Sequence, residues 1–152
     1  MNSIDEVVAA WKSYVDTLRD WQDIVKNTSP QVTGCGLVYE IPNPIQRLNE
    51  SFAIADMRQL KVAEPHYHNN ETEIYIVIQG EGVSVVGHNE QKIGKDSVVI
   101  TPPRTTHFTV PTDGLILAVI NTPPFQRENY VSISETNAEL QFDKSQFTRL
   151  TA

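Results

Sequence analysis

The sequence predicts an all-β domain, an antiparallel double-sheet barrel of the jelly-roll type, preceded by an N-terminal amphipathic helix. Three observations carry that reading. Short β-rich runs separated by turn residues succeed one another from about residue 33 to residue 133 with no helical segment between them. A single helical periodicity occupies residues 3–27. At 152 residues the chain suits one domain with a core large enough to need no staples.

The helix is read from apolar residues at Ile4, Val7/Val8, Trp11, Tyr14/Val15, Leu18, Trp21 and Ile24/Val25. Ser3 and Glu6 have the spacing of a capping box, and Asn27-Thr28-Ser29-Pro30 ends the pattern. Both tryptophans lie on this stripe. The helix is therefore expected to pack on the barrel, with a seam between two copies as the alternative use of the same face.

The strands expected next are Gly36–Ile41, Ser51–Leu60, Glu73–Ile78, Gly82–Val86, Ser97–Ile100, Thr106–Val110 and Leu115–Ile120. Turn signals separate them, among them Gly87-His88-Asn89-Glu90 and Pro111-Thr112-Asp113-Gly114. Tyr130–Ser134 reads as an extra strand, and Phe142, Phe147 and Leu150 as a short closing helix. The domain reading is residues 1–28 as a helix packing on the barrel, 29–134 as the barrel and 135–152 as a tail.

A net charge of −7 makes an acidic surface that repels phosphate backbones and anionic lipid, so neither nucleic acid nor a membrane is an expected partner. No apolar run reaches membrane-spanning length, and the N-terminus lacks a basic segment followed by an apolar one. The single cysteine, Cys35, cannot form an internal disulfide and has no cationic neighbour to activate it. A cytoplasmic protein with a small, unreactive thiol is expected.

The chemistry concentrates in the histidines. Three of the four fall into one arrangement: His66-Tyr67-His68, then Glu73, and His107 further on. In a strand alternate side chains share a face, so His66 and His68 point the same way. Asn69-Asn70-Glu71-Thr72 is turn-prone, and Glu73 opens the apolar run Ile74–Ile78. Two imidazoles and a carboxylate across a hairpin, joined by a distant imidazole, suit one divalent transition metal. The alternative is a pair of surface histidines near a turn with Glu73 as an edge charge; the uninterrupted apolar run after Glu73 argues against it. Glu71 is a competing carboxylate of the same parity, but it falls in the turn.

These residues resemble the motifs of the cupins. His66, His68, Glu73 and Gly80 keep the spacing of the first cupin motif, with Leu60 where its opening glycine would stand. Gly94, Pro102 and His107 fit the second, with two extra residues between Gly94 and Pro102, Arg104 at the glycine position and Pro111 at the asparagine position. The resemblance implies a double-stranded β-helix in which His66, His68, Glu73 and His107 hold one divalent metal: iron, manganese, nickel, zinc, copper or cobalt. It also implies a homodimer.

Tyr75, Thr109 and Arg104 are expected to line the pocket, the last as a partner for an anionic group. Core packing for Tyr75 and a solvated loop for Arg104 are the plainer readings. His88 reads as a surface turn residue, and Gly80-Glu81-Gly82 as a strand turn. The expected function is a mononuclear metal enzyme of dioxygenase or isomerase/lyase type acting on a small polar or carboxylate-bearing molecule, with Glu73 or Tyr75 as candidate catalytic groups. The alternative is a non-catalytic binding or sensing module with a structural metal. A sugar-phosphate isomerase, which would need Arg58, Lys61 and Arg104 around the metal, ranks third.

Overall fold

The computed structural model describes residues 3–42, 48–133 and 142–152. Two long strands organise it: β5 (Thr72–Val86) and β8 (His107–Thr122), antiparallel along most of their length. Each serves two sheets. The first half of β5 lies between β7 (Val98–Thr101) and the second half of β8, which in turn pairs with β3 (Ser51–Asp56). Beyond β3 come β2 (Gly36–Ile41) and β1 (Gln31–Thr33). The second half of β5 lies between β6 (Asn89–Ile93) and the first half of β8. Past β8 on that side stand β4 (His66–His68) and β9 (Tyr130–Ser132). All pairings are antiparallel, and the two sheets curl around one interior, the expected jelly roll.

Four expected strands are thus two. Glu73–Ile78 and Gly82–Val86 run on as β5, and Thr106–Val110 and Leu115–Ile120 as β8. The intervening glycines and proline do not form tight turns; they sit where the register shifts at Val77/Gln79, Gln79/Glu81 and Glu81/Gly82. Such bulges bend a strand from one sheet into the next without ending it. β3 stops at Asp56, short of the expected Leu60, and β6 begins inside the expected Gly87–Glu90 turn. The last residue of the expected strand Tyr130–Ser134 lies outside the described residues.

Parity sets what faces inward. Glu73, Tyr75 and Val77 alternate with Ile74 and Ile76 along β5. Tyr75 and Val77 join Ala55, Met57, Ile93, Val99, Leu115 and Leu117 in the apolar part of the interior. Ile74 and Ile76 face outward beneath the N-terminal helices.

The expected helix of residues 3–27 is split at Asp20 into α1 (Ile4–Arg19) and α2 (Trp21–Asn27), with the Ser3/Glu6 capping box in place. Aspartate competes poorly for a helix interior and suits a helix start. The break lets each helix use its own patch of the sheet. Tyr14 packs on Phe52 at a ring separation of 4.3 Å, and Trp21 on Tyr39, Ile54 and Ile116. Both helices lie against the outer face of this sheet. Truncating such a buried aromatic costs about 3–5 kcal/mol. On the other sheet, α3 (Lys144–Thr151) covers Val85, Phe108 and Val110 with Phe147 and Leu150. No helix of the described residues is long and apolar enough to cross a membrane.

Candidate metal centre

Strand register assembles the site. β4 presents His66 and His68 on one face, and β8 places His107 opposite His66. Glu73, at the start of β5, faces inward opposite Asn121 of β8. One donor atom from each of His66, His68, Glu73 and His107 lies within 4.8 Å of every other. All four are buried.

The hydrogen bonds orient these donors. His66 Nδ1 donates to the Glu64 carbonyl at 2.7 Å and His107 Nδ1 to the Thr105 carbonyl at 3.0 Å. In the neutral imidazole that leaves Nε2 as an acceptor pointing into the site. His107 Nε2 lies 3.0 Å from Glu73 Oε1, and His68 Nε2 3.2 Å from Glu73 Oε2. Acceptor lone pairs cannot face carboxylate oxygens at this range unless a proton or a cation stands between them. Both ring nitrogens of His68 are buried with no hydrogen bond of proper geometry. A buried imidazole left in that state is costly, and metal coordination relieves it. Donors about 2.1 Å from a common ion stand about 3 Å apart at a right angle, so this donor set fits a divalent transition metal.

Electrostatics favour the coordinating forms. Burial, reinforced by the charge of His107, pushes His66 down to about 3, so it is neutral over the physiological range. Burial alone would raise the Glu73 carboxyl, but the imidazoles of His107 and His68 beside it outweigh burial and hold it well below the usual carboxylate range. Asn121 Nδ2 adds a hydrogen bond to Glu73 Oε2 at 3.3 Å.

The model of the cupin domain matches residues 56–119, a span that contains all four donors in this geometry. Residues 56–119 of the chain are a cupin domain.

Among curated proteins this cupin is 27% identical to a gentisate 1,2-dioxygenase from Haloferax sp, over 81% of the present chain and 35% of that protein. The chain thus spans about a third of the length of the relative it matches. Among solved structures it is similar to a variant of the Streptomyces protein PAC13 with uridine, at TM-score 0.58 and 13% identity over 74% of this chain and 94% of the other. A Planctomyces limnophilus protein gives 0.59 at 18% identity, covering 70% and 90%. A predicted oxalate decarboxylase from Thermotoga maritima gives 0.57 at 17%, covering 64% and 95%. These structural likenesses show the fold.

The remaining expected pocket residues of this cupin are placed variously. Tyr75 is buried beside Glu73, its ring centroid 6.4 Å from that of His107. Burial and the Glu73 charge hold its hydroxyl well above the usual phenol range. Thr109 is buried on the face of β8 that carries His107, opposite Ser84. Arg104 is exposed; its backbone N–H donates to the His68 carbonyl at 2.7 Å, and its φ of 57° is the left-handed conformation for which a glycine is the easier choice. Glu71 is buried but turned away from the four donors, accepting from Gln126 N at 3.0 Å and Asn129 Nδ2 at 3.4 Å. Arg58 is held by Asp56 at 2.8 Å and stands over the Trp21 ring, so its guanidinium is already engaged. His88 is exposed.

Four residues at the site are not among those expected there from the sequence: Glu64, Asn121, Phe125 and Tyr130. Phe125, partly exposed, meets the His68 ring edge-on at 5.8 Å. Asn121 was within reach of strand parity, because it continues the inward series Leu117, Val119 one residue past the expected strand end. Cys35 Sγ lies 3.9 Å from both His66 Nδ1 and Tyr130 Oη. Burial and the Glu73 charge push the thiol up to about 12, so it stays protonated and unreactive at neutral pH.

Proposed function

We propose that this cupin is a mononuclear metal enzyme of dioxygenase type, with His66, His68, Glu73 and His107 as the ligands and a small carboxylate-bearing molecule as substrate. The observation that carries the reading is the buried donor set itself, whose inward-facing nitrogens and carboxylate oxygens call for a cation between them. The similarity to a gentisate 1,2-dioxygenase supports dioxygen chemistry over isomerase or lyase chemistry, and hydroxylated aromatic carboxylates as the first class to test. A bound divalent iron would supply adjacent positions for dioxygen and a chelating substrate.

The chain's own residues would do the rest. His66 and His107 are fixed by carbonyls in the tautomer that offers Nε2. Glu73 is steadied by Asn121 and carries the negative charge that offsets the cation. Tyr75, held protonated, offers a hydroxyl donor beside Glu73. Phe125, edge-on to the His68 ring and partly exposed, would offer an apolar edge to a substrate ring. Arg104, at the loop next to His68, would draw the substrate carboxylate.

The test is reconstitution under anaerobic conditions with iron, manganese, zinc, nickel, copper or cobalt. Metal content and oxygen consumption with gentisate and related hydroxy acids are then measured. One equivalent of metal and substrate-dependent oxygen uptake are expected. Less than about a tenth of an equivalent after reconstitution would refute the metal reading. One tightly held metal without exchangeable water or turnover would assign the protein to the non-catalytic binding role.

A further inference from the structure

We infer that Glu64 and Tyr130 form a clasp that positions the His66 ring, an inference that rests on the proposed metal centre. β9, which supplies Tyr130, follows residue 119, where the cupin-domain match ends, so this wall of the site lies outside the matched span. β9 pairs with β4 so that Tyr130 stands opposite His68 and Ser132 opposite His66. The Tyr130 ring stacks on the His66 ring at 4.5 Å with 22° between planes, and meets the His68 ring edge-on at 5.7 Å. It therefore sits against both imidazoles of β4.

What fixes that ring is Glu64. Its Oε2 accepts from the Tyr130 hydroxyl at 2.7 Å, and its Oε1 accepts from the Ser132 hydroxyl. Its own carbonyl accepts from His66 Nδ1 at 2.7 Å, and its N–H donates to the Gly34 carbonyl at 2.9 Å. One residue thus controls His66 by two routes: the carbonyl sets the tautomer, and the carboxylate anchors the aromatic surface against which the ring lies. The space for that carboxylate is kept by Gly34, where a Cβ would overlap Glu64 Oε2. A phenol tied to a carboxylate is a rigid wall, because both torsions of the tyrosine are then determined. Glu64 and Tyr130 are positioning residues for His66, acting through its orientation.

Tyr130→Phe keeps the ring and removes the tether; Glu64→Ala removes the anchor; Glu64→Gln retains one acceptor for the tyrosine. Two measurements are made on each full-length variant: Co(II) affinity by competition titration, and exchange of the His66 Nδ1–H by NMR in the metal-free protein. Tyr130→Phe and Glu64→Ala are each expected to weaken Co(II) binding by about 10-fold, the scale of lost support around a ligating histidine, and to speed the Nδ1–H exchange. Because both variants break the same Tyr130–Glu64 hydrogen bond, the double variant should be no weaker than the weaker single by more than about 2-fold. Glu64→Gln should recover most of the affinity. Wild-type affinity and exchange in Tyr130→Phe would overturn the clasp, as would fully multiplicative losses. If the wild type itself binds no Co(II), the metal reading fails, and unchanged exchange in Tyr130→Phe then refutes the clasp separately.

Discussion

Gly80, the glycine that closes the first cupin motif, is a place where the fold makes a quantitative demand. It lies in β5 between the register shifts, with φ of +82°. A Cβ there would stand closer than 3.0 Å to the carbonyl oxygens of Asp113 and Gly114 on the facing strand. Both obstacles are backbone, so neither can swing away. Placing an L-residue in the left-handed region costs roughly 1–2 kcal/mol. Forcing apart two packed strands costs about 1–3 kcal/mol more. Gly80→Ala should therefore destabilise by about 2–5 kcal/mol, a large share of a typical total of about 5–15. For a domain of this size that lowers Tm by roughly 5–15 °C. The control is Gly94→Ala, where a Cβ meets nothing within 4 Å. It should lie within about 0.5 kcal/mol of wild type. Thermal melts followed by circular dichroism compare the two. Equal midpoints for Gly80→Ala and Gly94→Ala would refute the reasoning that the bulge requires a glycine.

Three further expectations can be checked on the same protein. Glu73→Gln, which removes the one anionic donor, should weaken divalent-metal binding by at least about 10-fold in competition titrations, while apoprotein circular dichroism stays that of a folded barrel. His66 has a folded-state pKa lowered to about 3 from an ordinary 6.5, so the unfolded chain binds the extra proton between those values. Stability of the metal-free protein should then fall as pH drops through that window, and Glu73, whose pKa is also lowered, adds loss in the same direction at the acid end; urea midpoints measured from pH 7 to pH 4 test this. Phe147→Ala, removing a ring 5.2 Å from Phe108, should detach α3 at a cost of about 2 kcal/mol and expose the tail to limited proteolysis.

The site was legible because its residues obey local rules. Two histidines one residue apart on a strand, and a carboxylate at the head of an apolar run, declare their faces by alternation alone, as Glu73, Tyr75 and Val77 do. What alternation cannot show is which turn-forming residues actually turn. Gly80, Gly82, Pro111 and Gly114 read as strand ends, yet all lie within β5 or β8, because a bulge needs the same backbone freedom as a turn. β6 was hidden for a different reason: Asn89-Glu90-Gln91-Lys92 is a solvent-facing polar run with only Ile93 buried, so no alternation marks it. Glu64 and Tyr130 belong to a third kind. Their contact depends on the pairing of β4 with β9, a tertiary register that no local pattern encodes.

The register of β4 also bears on how the barrel holds together. This three-residue strand is tied to β8 by the single pair His66–His107, and otherwise leans on β9. Its hydrogen-bond ladder alone makes it one of the weaker seams of the molecule. An ion bound by the proposed donors would bridge β4, β5 and β8 at once, closing the 34-residue span from Glu73 to His107. Such an ion acts as a rivet: amide protons of β4 and β9 should gain protection on metal loading well beyond those of β2 and β3, whose continuous ladders need no such fastening.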